Sequence, residues 1–343
     1  MRPNQTGPNM TDARLGEVLS SAPPLLTDAE ALGLVRQHFG VEGALKRLTS
    51  ERDLNIRITT PGRAYVLKLA NPAEPAAVTD FQTKALLHLE SSGLPVPKVI
   101  RTTSGATEVI TPHGTVRLLT YLEGIPQHLT PRTPAQARAM AAMAARLTRG
   151  LAGFAHPAAG YVLQWDIKRA GALRPMLAAV PEDMQALARA ALDRFDALAP
   201  ELAGLRWQVV HNDLNPHNVL VSPDNSDEIA GVLDFGDMVH TPLICDAAIA
   251  ASYCVDPVRP LESLLNFARA YHAVLPLTAD EARLFPDLVA TRMLTTLTIA
   301  SARAQVYPDN APYILRNVAT AREGLTALAG IDRPALLNAL EAL

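Results

Sequence analysis

His211, Asp213 and Asn218 stand in one polar stretch, His211-Asn212-Asp213-Leu214-Asn215-Pro216-His217-Asn218, and Asp234-Phe235-Gly236 follows Asn218 by sixteen residues. Phosphoryl transfer to a hydroxyl needs a carboxylate that orients the hydroxyl, and oxygen ligands that hold Mg2+ against the phosphates. On that reading Asp213 is the catalytic carboxylate, Asn218 a neutral metal ligand and Asp234 the anionic metal ligand. H-x-D-x(4)-N alone is a moderate signal, because Asn, Asp and Pro also build ordinary turns. An aspartate that ends the apolar run Val232-Leu233 as part of D-F-G makes the set specific. His211 reads as a structural residue that packs behind the loop.

A phosphate anchor is expected earlier in the chain. Lys68, in Tyr65-Val66-Leu67-Lys68-Leu69, is centred in an apolar strand pattern and suits a contact to the α and β phosphates. Its alternative is an edge-strand lysine that guards against aggregation.

Lys68, Asp213, Asn218 and Asp234-Phe235-Gly236 together resemble the aminoglycoside phosphotransferase and choline kinase superfamily. Leu233 through Asp246, LDFGDMVHTPLICD, resembles more narrowly the hydroxylysine kinase family. The resemblance spans residues 27 to 330 and implies an α+β, protein-kinase-like fold of two lobes, a small antiparallel-sheet N-lobe and a larger, mainly helical C-lobe. It also implies ATP or GTP between the lobes as phosphoryl donor, Mg2+, and a small hydroxylated amine or amino acid as acceptor. The nucleotide set it implies is Lys68, Ser50, Arg52, Gln82, Tyr121 and Leu122. Asp246 is implied to be a buried carboxylate that accepts from the catalytic loop's backbone, with helix capping as its alternative.

Three departures from the family pattern bear on function. His211-Asn212-Asp213 replaces His-Gly-Asp, so the middle position must tolerate positive φ without glycine. A glycine-rich phosphate loop is missing, and Ser50-Glu51-Arg52-Asp53 occupies the first strand turn. The helix residue expected to pair with Lys68 is Gln82 rather than a glutamate, with Glu74 or Asp80 as substitutes.

On the acceptor side, Asp237 adds a third carboxylate beside Asp213 and Asp234, which suits an ammonium group on the substrate. An amino-acid acceptor would also need a cation for its carboxylate, and Arg292 and Arg303, eleven residues apart near one helix face, are the candidates. The expected acceptor is 5-hydroxylysine, with homoserine, choline or ethanolamine, and aminoglycosides as alternatives. A non-catalytic nucleotide-binding regulator is the alternative from another class. It would be expected to lack one of Lys68, Asp213, Asn218 or Asp234, and all four are present.

The elements that must position these residues follow from composition and pattern. The chain has 343 residues, a net charge of −3, 48% hydrophobic and 19% charged residues, a globular balance without the basic excess that nucleic acid or membrane surfaces attract. Aromatics are only 5%, so Ala, Leu and Val must build the cores. Cys245 and Cys254 lie in apolar sequence and fit a reducing, cytoplasmic compartment. No transmembrane run, zinc motif or protein-partner signal is read.

Residues 1–24 read as a loose, proline-bearing tail, 25–123 as the nucleotide-covering N-lobe and 124–343 as the helical C-lobe with catalytic loop and acceptor site. In the N-lobe a helix starts at the capping box Thr27-Asp28-Ala29-Glu30. Strands are expected at 45–49, 54–59, 64–70, 99–103 and 116–121, with a helix over 76–90. Beyond Gly124, helices are expected over 133–154, 181–202, 243–252 and 278–305, interrupted by two short strands at 219–222 and 229–233.

Overall fold

The computed structural model describes residues 24–50 and 52–343, so the expected N-terminal tail lies outside the described residues apart from Pro24. Two units divide the chain: residues up to Glu123 together with His156–Leu163, and Gly124–Ala155 together with Gln164–Leu343.

In the first unit Thr27 caps α1 (Asp28–Phe39). Its hydroxyl accepts the Glu30 N–H at 3.2 Å, and Glu30 Oε2 accepts the Thr27 N–H at 2.7 Å. Two donors left open at a helix start are thereby satisfied. Strands β1 (Ala44–Leu48), β2 (Leu54–Thr60) and β3 (Arg63–Leu69) precede α2 (Ala76–Leu89). β4 (Val99–Ile100), β5 (Val109–Thr111) and β6 (Gly114–Thr120) follow it. The antiparallel sheet runs β1-β2-β3-β6-β4, with β5 paired to β6. Alternation sorts its two faces. Leu67, Leu69, Val116 and Leu118 join Val35 and Phe39 of α1 in one core, while Lys68 and Arg117, register partners across the β3–β6 ladder, sit on the other face. The strand expected over 99–103 stops at Ile100, because the Thr102 N–H donates to Ala106 O at 2.8 Å and its hydroxyl accepts the Ala106 N–H at 2.9 Å, forming a turn.

The second unit begins with β7 (Ile125–Pro126) and α3 (Pro134–Gly150), then 3-10 turns over Ile167–Ala179 and α4 (Glu182–Leu198). β8 (Trp207–Val210), β9 (Val219–Val221), β10 (Ile229–Val232) and β11 (Val239–Pro242) come next. α5 (Leu243–Ser252), α6 (Pro260–Val274), α7 (Ala279–Val306), α8 (Val318–Ala329) and α9 (Arg333–Glu341) complete it. Every residue of α5 is buried, and α7 is buried on all sides from Leu284 to Ser301, the signature of core helices. α6, α8, α9, β8 and β11 are additions to the sequence expectation. No helix among the described residues is long and apolar enough to cross a membrane.

Candidate active site

Two short ladders set the polar loops of the second unit. β8 pairs with β11 (Val210 opposite Val239) and β9 with β10 (Val219 opposite Val232), so residues 211–218 and 233–238 form their connections. The loops lock together. The Leu233 N–H donates to Asn218 O at 2.7 Å, and His211 Nε2 donates to Leu233 O at 3.0 Å with the Phe235 ring edge-on to the imidazole. His211 Nδ1 then accepts the Asp213 N–H at 3.3 Å, consistent with the proton on Nε2.

Asn212 adopts φ 65°, the left-handed conformation where its family carries glycine. Its N–H donates to Asp246 Oδ1 at 2.7 Å, across from the first turn of α5. Burial raises the Asp246 carboxyl above its ordinary value, against the opposing effects of His211 and the Asn212 N–H. Asp246 therefore holds the backbone of the loop from behind.

Asp213 is gripped from two sides. Asn218 Nδ2 donates to its Oδ2 at 2.7 Å and to its backbone carbonyl at 3.0 Å, and Asn215 Nδ2 donates to Oδ2 at 2.9 Å. Arg292 Nη2 donates to Oδ1 at 3.0 Å. Burial pushes the Asp213 carboxyl up to about 7; Arg292 and Asn215 oppose this, while Asp237 and Asp234 add to it. Arg292 is 3% exposed, bonded also to the Tyr253 hydroxyl and Trp165 O at 3.3 Å each, so its guanidinium is committed to the catalytic carboxylate instead of standing open to a substrate carboxylate. Arg303 lies half-buried in the last turn of α7.

The donor set beside Asp213 suits Mg2+. With its Nδ2 spent on Asp213, Asn218 presents its amide oxygen, and Asp234, exposed at φ 56°, accepts the Gly236 N–H at 3.1 Å through Oδ1. Among the described residues no three His, Cys, Asp or Glu side chains form a metal cage. One amide and one carboxylate fit a hard cation that keeps waters and phosphate oxygens in its shell. Asp237 is half-buried and close enough to raise both Asp213 and Arg292 electrostatically.

In the first unit Lys68 Nζ pairs with Asp53 at 3.7 Å, both side chains largely buried. The turn that carries Ser50, Arg52 and Asp53 is tied to the end of β3: Asn71 Nδ2 donates to Arg52 O at 3.1 Å, and the Asn71 N–H to Asp53 Oδ1 at 3.2 Å. The expected pairing of Gln82 with Lys68 is replaced by another. Gln82 Oε1 accepts from Arg117 Nη2 at 3.0 Å, and Arg117 Nη1 reaches Thr79 O and Thr83 Oγ1 at 3.3 Å each. Arg117 neighbours Lys68 in register on the same face, and its longer fork covers α2 first. The other two carboxylates considered for Lys68 differ in placement. Asp80 pairs with Lys84 and His156, while burial raises the Glu74 carboxyl, with Arg52, Arg117 and Lys68 opposing. Tyr121 carries the Arg57 guanidinium 4.0 Å over its ring, and Leu122 follows it, half-buried.

Residues 44–285 match the family described as Phosphotransferase enzyme family. The chain belongs to that family. It is a phosphotransferase that acts on a hydroxyl acceptor, a small-molecule kinase. It is 27% identical over 349 residues to hydroxylysine kinase of Mus musculus, covering 92% of this chain and 93% of that protein. It is 28% identical over 244 residues to homoserine kinase of Methylobacillus flagellatus, covering 68% and 72%. Among solved structures it resembles amicoumacin kinase in complex with AMP-PNP, Ca2+ and Ami, with a TM-score of 0.63 at 17% identity over 91% of this chain and 97% of that one. The phosphotransferase thus has the protein-kinase-like fold.

Asn215, Trp165, Tyr253 and Asp53 are site residues that sequence reasoning passes over. Asn215 and Asp53 lie inside motifs already singled out. Trp165 and Tyr253 lie far from the motif in sequence and carry no signal there.

Proposed function

We propose that the enzyme moves the γ-phosphoryl group of ATP or GTP, with Mg2+, onto the hydroxyl of a small amino-bearing metabolite, and that 5-hydroxylysine is this acceptor. The observation that carries the reading is the Asp213 carboxylate, fixed by Asn215, Asn218 and Arg292 and raised to about 7. A base whose pKa lies near the working pH combines a useful ionised fraction with effective proton abstraction. In the assigned step the acceptor oxygen bonds to the γ-phosphorus as the bond from that phosphorus to the β,γ-bridging oxygen breaks. The acceptor proton passes to Asp213, and nucleoside diphosphate leaves.

Asn218 and Asp234 are assigned to hold Mg2+, which when bound neutralises charge on the phosphate oxygens. Lys68, Ser50 and Arg52 are assigned to the nucleotide phosphates, and Tyr121 and Leu122 to the rest of the nucleotide. Gln82 contributes through its hold on Arg117. Asp237 is assigned to the acceptor's ammonium. The likeness to hydroxylysine kinase along nearly the whole chain supports the acceptor, and the likeness to homoserine kinase makes homoserine the second reading. The free cysteines support a reducing, cytoplasmic setting.

The test is a transfer screen with ATP or GTP and Mg2+ over 5-hydroxylysine, homoserine, choline, ethanolamine and an aminoglycoside, read by 31P NMR and initial rates. The expected result is a kcat/KM for 5-hydroxylysine roughly tenfold or more above homoserine. A preference for any other acceptor replaces the reading.

A further inference from the structure

A cavity of about 680 Å³ lies within the second unit, walled by the start of α3, one face of α6, and Pro216 and His217 of the catalytic loop. Five arginines line it, Arg132, Arg138, Arg259, Arg269 and Arg316, against two carboxylates, Asp256 and Glu262. Both carboxylates are taken by Arg259, each at 3.6 Å. Among the described residues the other four arginines make no ion pair. Arg132 donates to Thr320, Arg138 to Asn266 and Arg316 to Tyr313 O, all neutral acceptors, and Arg269 has no side-chain hydrogen bond. Four cationic groups around one void, without counter-charges, repel one another and favour a bound anion.

Two further observations fix what kind of anion. Gln127, 7% exposed, lines the cavity, and its Oε1 is buried with no hydrogen-bond partner among the described residues, so an occupant with an N–H donor relieves a costly vacancy in its bonding. Tyr253, also in the wall, joins the cavity to the catalytic carboxylate. Its hydroxyl is 3.3 Å from Arg292 Nη2, which itself donates to Asp213 Oδ1 at 3.0 Å. Carboxylates gather at the Asp213 end and arginines at the far end, and that polarity orients a zwitterion.

We infer that this cavity holds the head group of an α-amino-acid acceptor, its carboxylate among the arginines and its α-ammonium on Gln127 Oε1, while the distal hydroxyl reaches Asp213. This rests on the kinase reading above and narrows the acceptor class. Amines that lack a carboxylate, such as choline and ethanolamine, leave the arginines uncompensated, and polycationic aminoglycosides meet like charge.

Binding is measured apart from transfer, by titration calorimetry with L-lysine and with cadaverine, its decarboxylated counterpart; neither carries a hydroxyl to phosphorylate. The wild-type enzyme should bind lysine roughly 10- to 100-fold more tightly than cadaverine, the scale of a charge-assisted hydrogen bond. Arg269→Gln and, separately, Arg138→Gln should each lose most of that preference, and Arg36→Gln, an equal charge change in the first unit, should keep it. Equal binding of the two ligands, or binding of neither, overturns the inference. Kinetics separate the two readings. If lysine binds as expected but 5-hydroxylysine is not phosphorylated, the proposed acceptor falls and the cavity assignment stands. If 5-hydroxylysine and its carboxamide are phosphorylated with equal kcat/KM, transfer stands and the cavity assignment falls.

Discussion

The Arg292 guanidinium is held against the Asp213 carboxylate at 3.0 Å, the arginine 3% exposed and packed 5.4 Å from the Trp165 ring. A buried cation of this kind favours the ionised carboxylate and fixes the direction of Oδ1, while Asn215 and Asn218 hold Oδ2. Neither oxygen can swing away without breaking a charge-assisted bond.

The first prediction concerns this pair. Asp213→Asn should lower kcat by roughly 10²- to 10⁴-fold, the usual worth of a positioned acid–base group, and leave nucleotide affinity close to wild type. In Arg292→Met the effect that opposes burial is gone, so the Asp213 carboxyl moves further up from about 7. Because the base must be ionised, the acid limb of kcat/KM should shift to higher pH in that variant. A limb that stays in place would show that Asp213 is not the group titrating in catalysis.

Asn212 provides a prediction about stability. Its φ of 65° costs an L-residue energy that glycine does not incur, and its amide nitrogen and oxygen are both buried without hydrogen-bond partners among the described residues. Asn212→Gly should therefore stabilise the protein by about 1 kcal/mol and keep the Asp246 bond, which comes from the backbone. Urea denaturation measures this, with Asn212→Val as the contrasting variant that should lose stability. A glycine variant less stable than wild type would mean that the asparagine side chain contributes something its geometry does not reveal.

Asp234→Asn keeps the side chain's shape, and its remaining oxygen can still accept the Gly236 N–H. What it removes is the anionic ligand, so the Mg2+ concentration needed for half-maximal rate should rise by roughly tenfold or more and kcat should collapse. Rates measured across a Mg2+ titration check it. Normal turnover at limiting Mg2+ would move the metal assignment to another residue.

Asp213, Asn218 and Asp234 are legible in the sequence because their spacings reproduce the loops between two short ladders, and Asn212 because only a few residue types accept its backbone angle. The strands that hold those loops are less legible. β8 and β11 are four residues each, too short for alternation to register against the apolar stretches beside them. Arg292 reads from sequence as a helical arginine available to substrate. Its commitment to Asp213 depends on how α7 packs against a loop 79 residues away, which no local pattern encodes. Gln82 fails as a partner for Lys68 for a related reason: counting along α2 finds the residue, but only the β3–β6 register reveals Arg117 as the competitor for it.

The last prediction concerns Asp237. It is half-buried and follows the D-F-G directly, close enough to Asp213 and Arg292 to raise the pKa of each. A third carboxylate in an already negative place makes that place more costly unless a cation joins it, and an acceptor ammonium next to the reacting hydroxyl is such a cation. Asp237→Asn should then raise KM for 5-hydroxylysine and change kcat less, since the contact exists in both the ground and transition states. Truncating a partly desolvated ion pair costs roughly 2–4 kcal/mol, or about 30- to 1,000-fold in kcat/KM, against about tenfold or less for an exposed charge in the same field. The discriminating measurement is the ratio of kcat/KM for 5-hydroxylysine to that for its side-chain N-acetylated analogue, in both proteins. Wild type should prefer the free amine, and the variant should lose most of that preference. An unchanged ratio would assign the ammonium to a different carboxylate and leave Asp237 acting only through the field it exerts on Asp213.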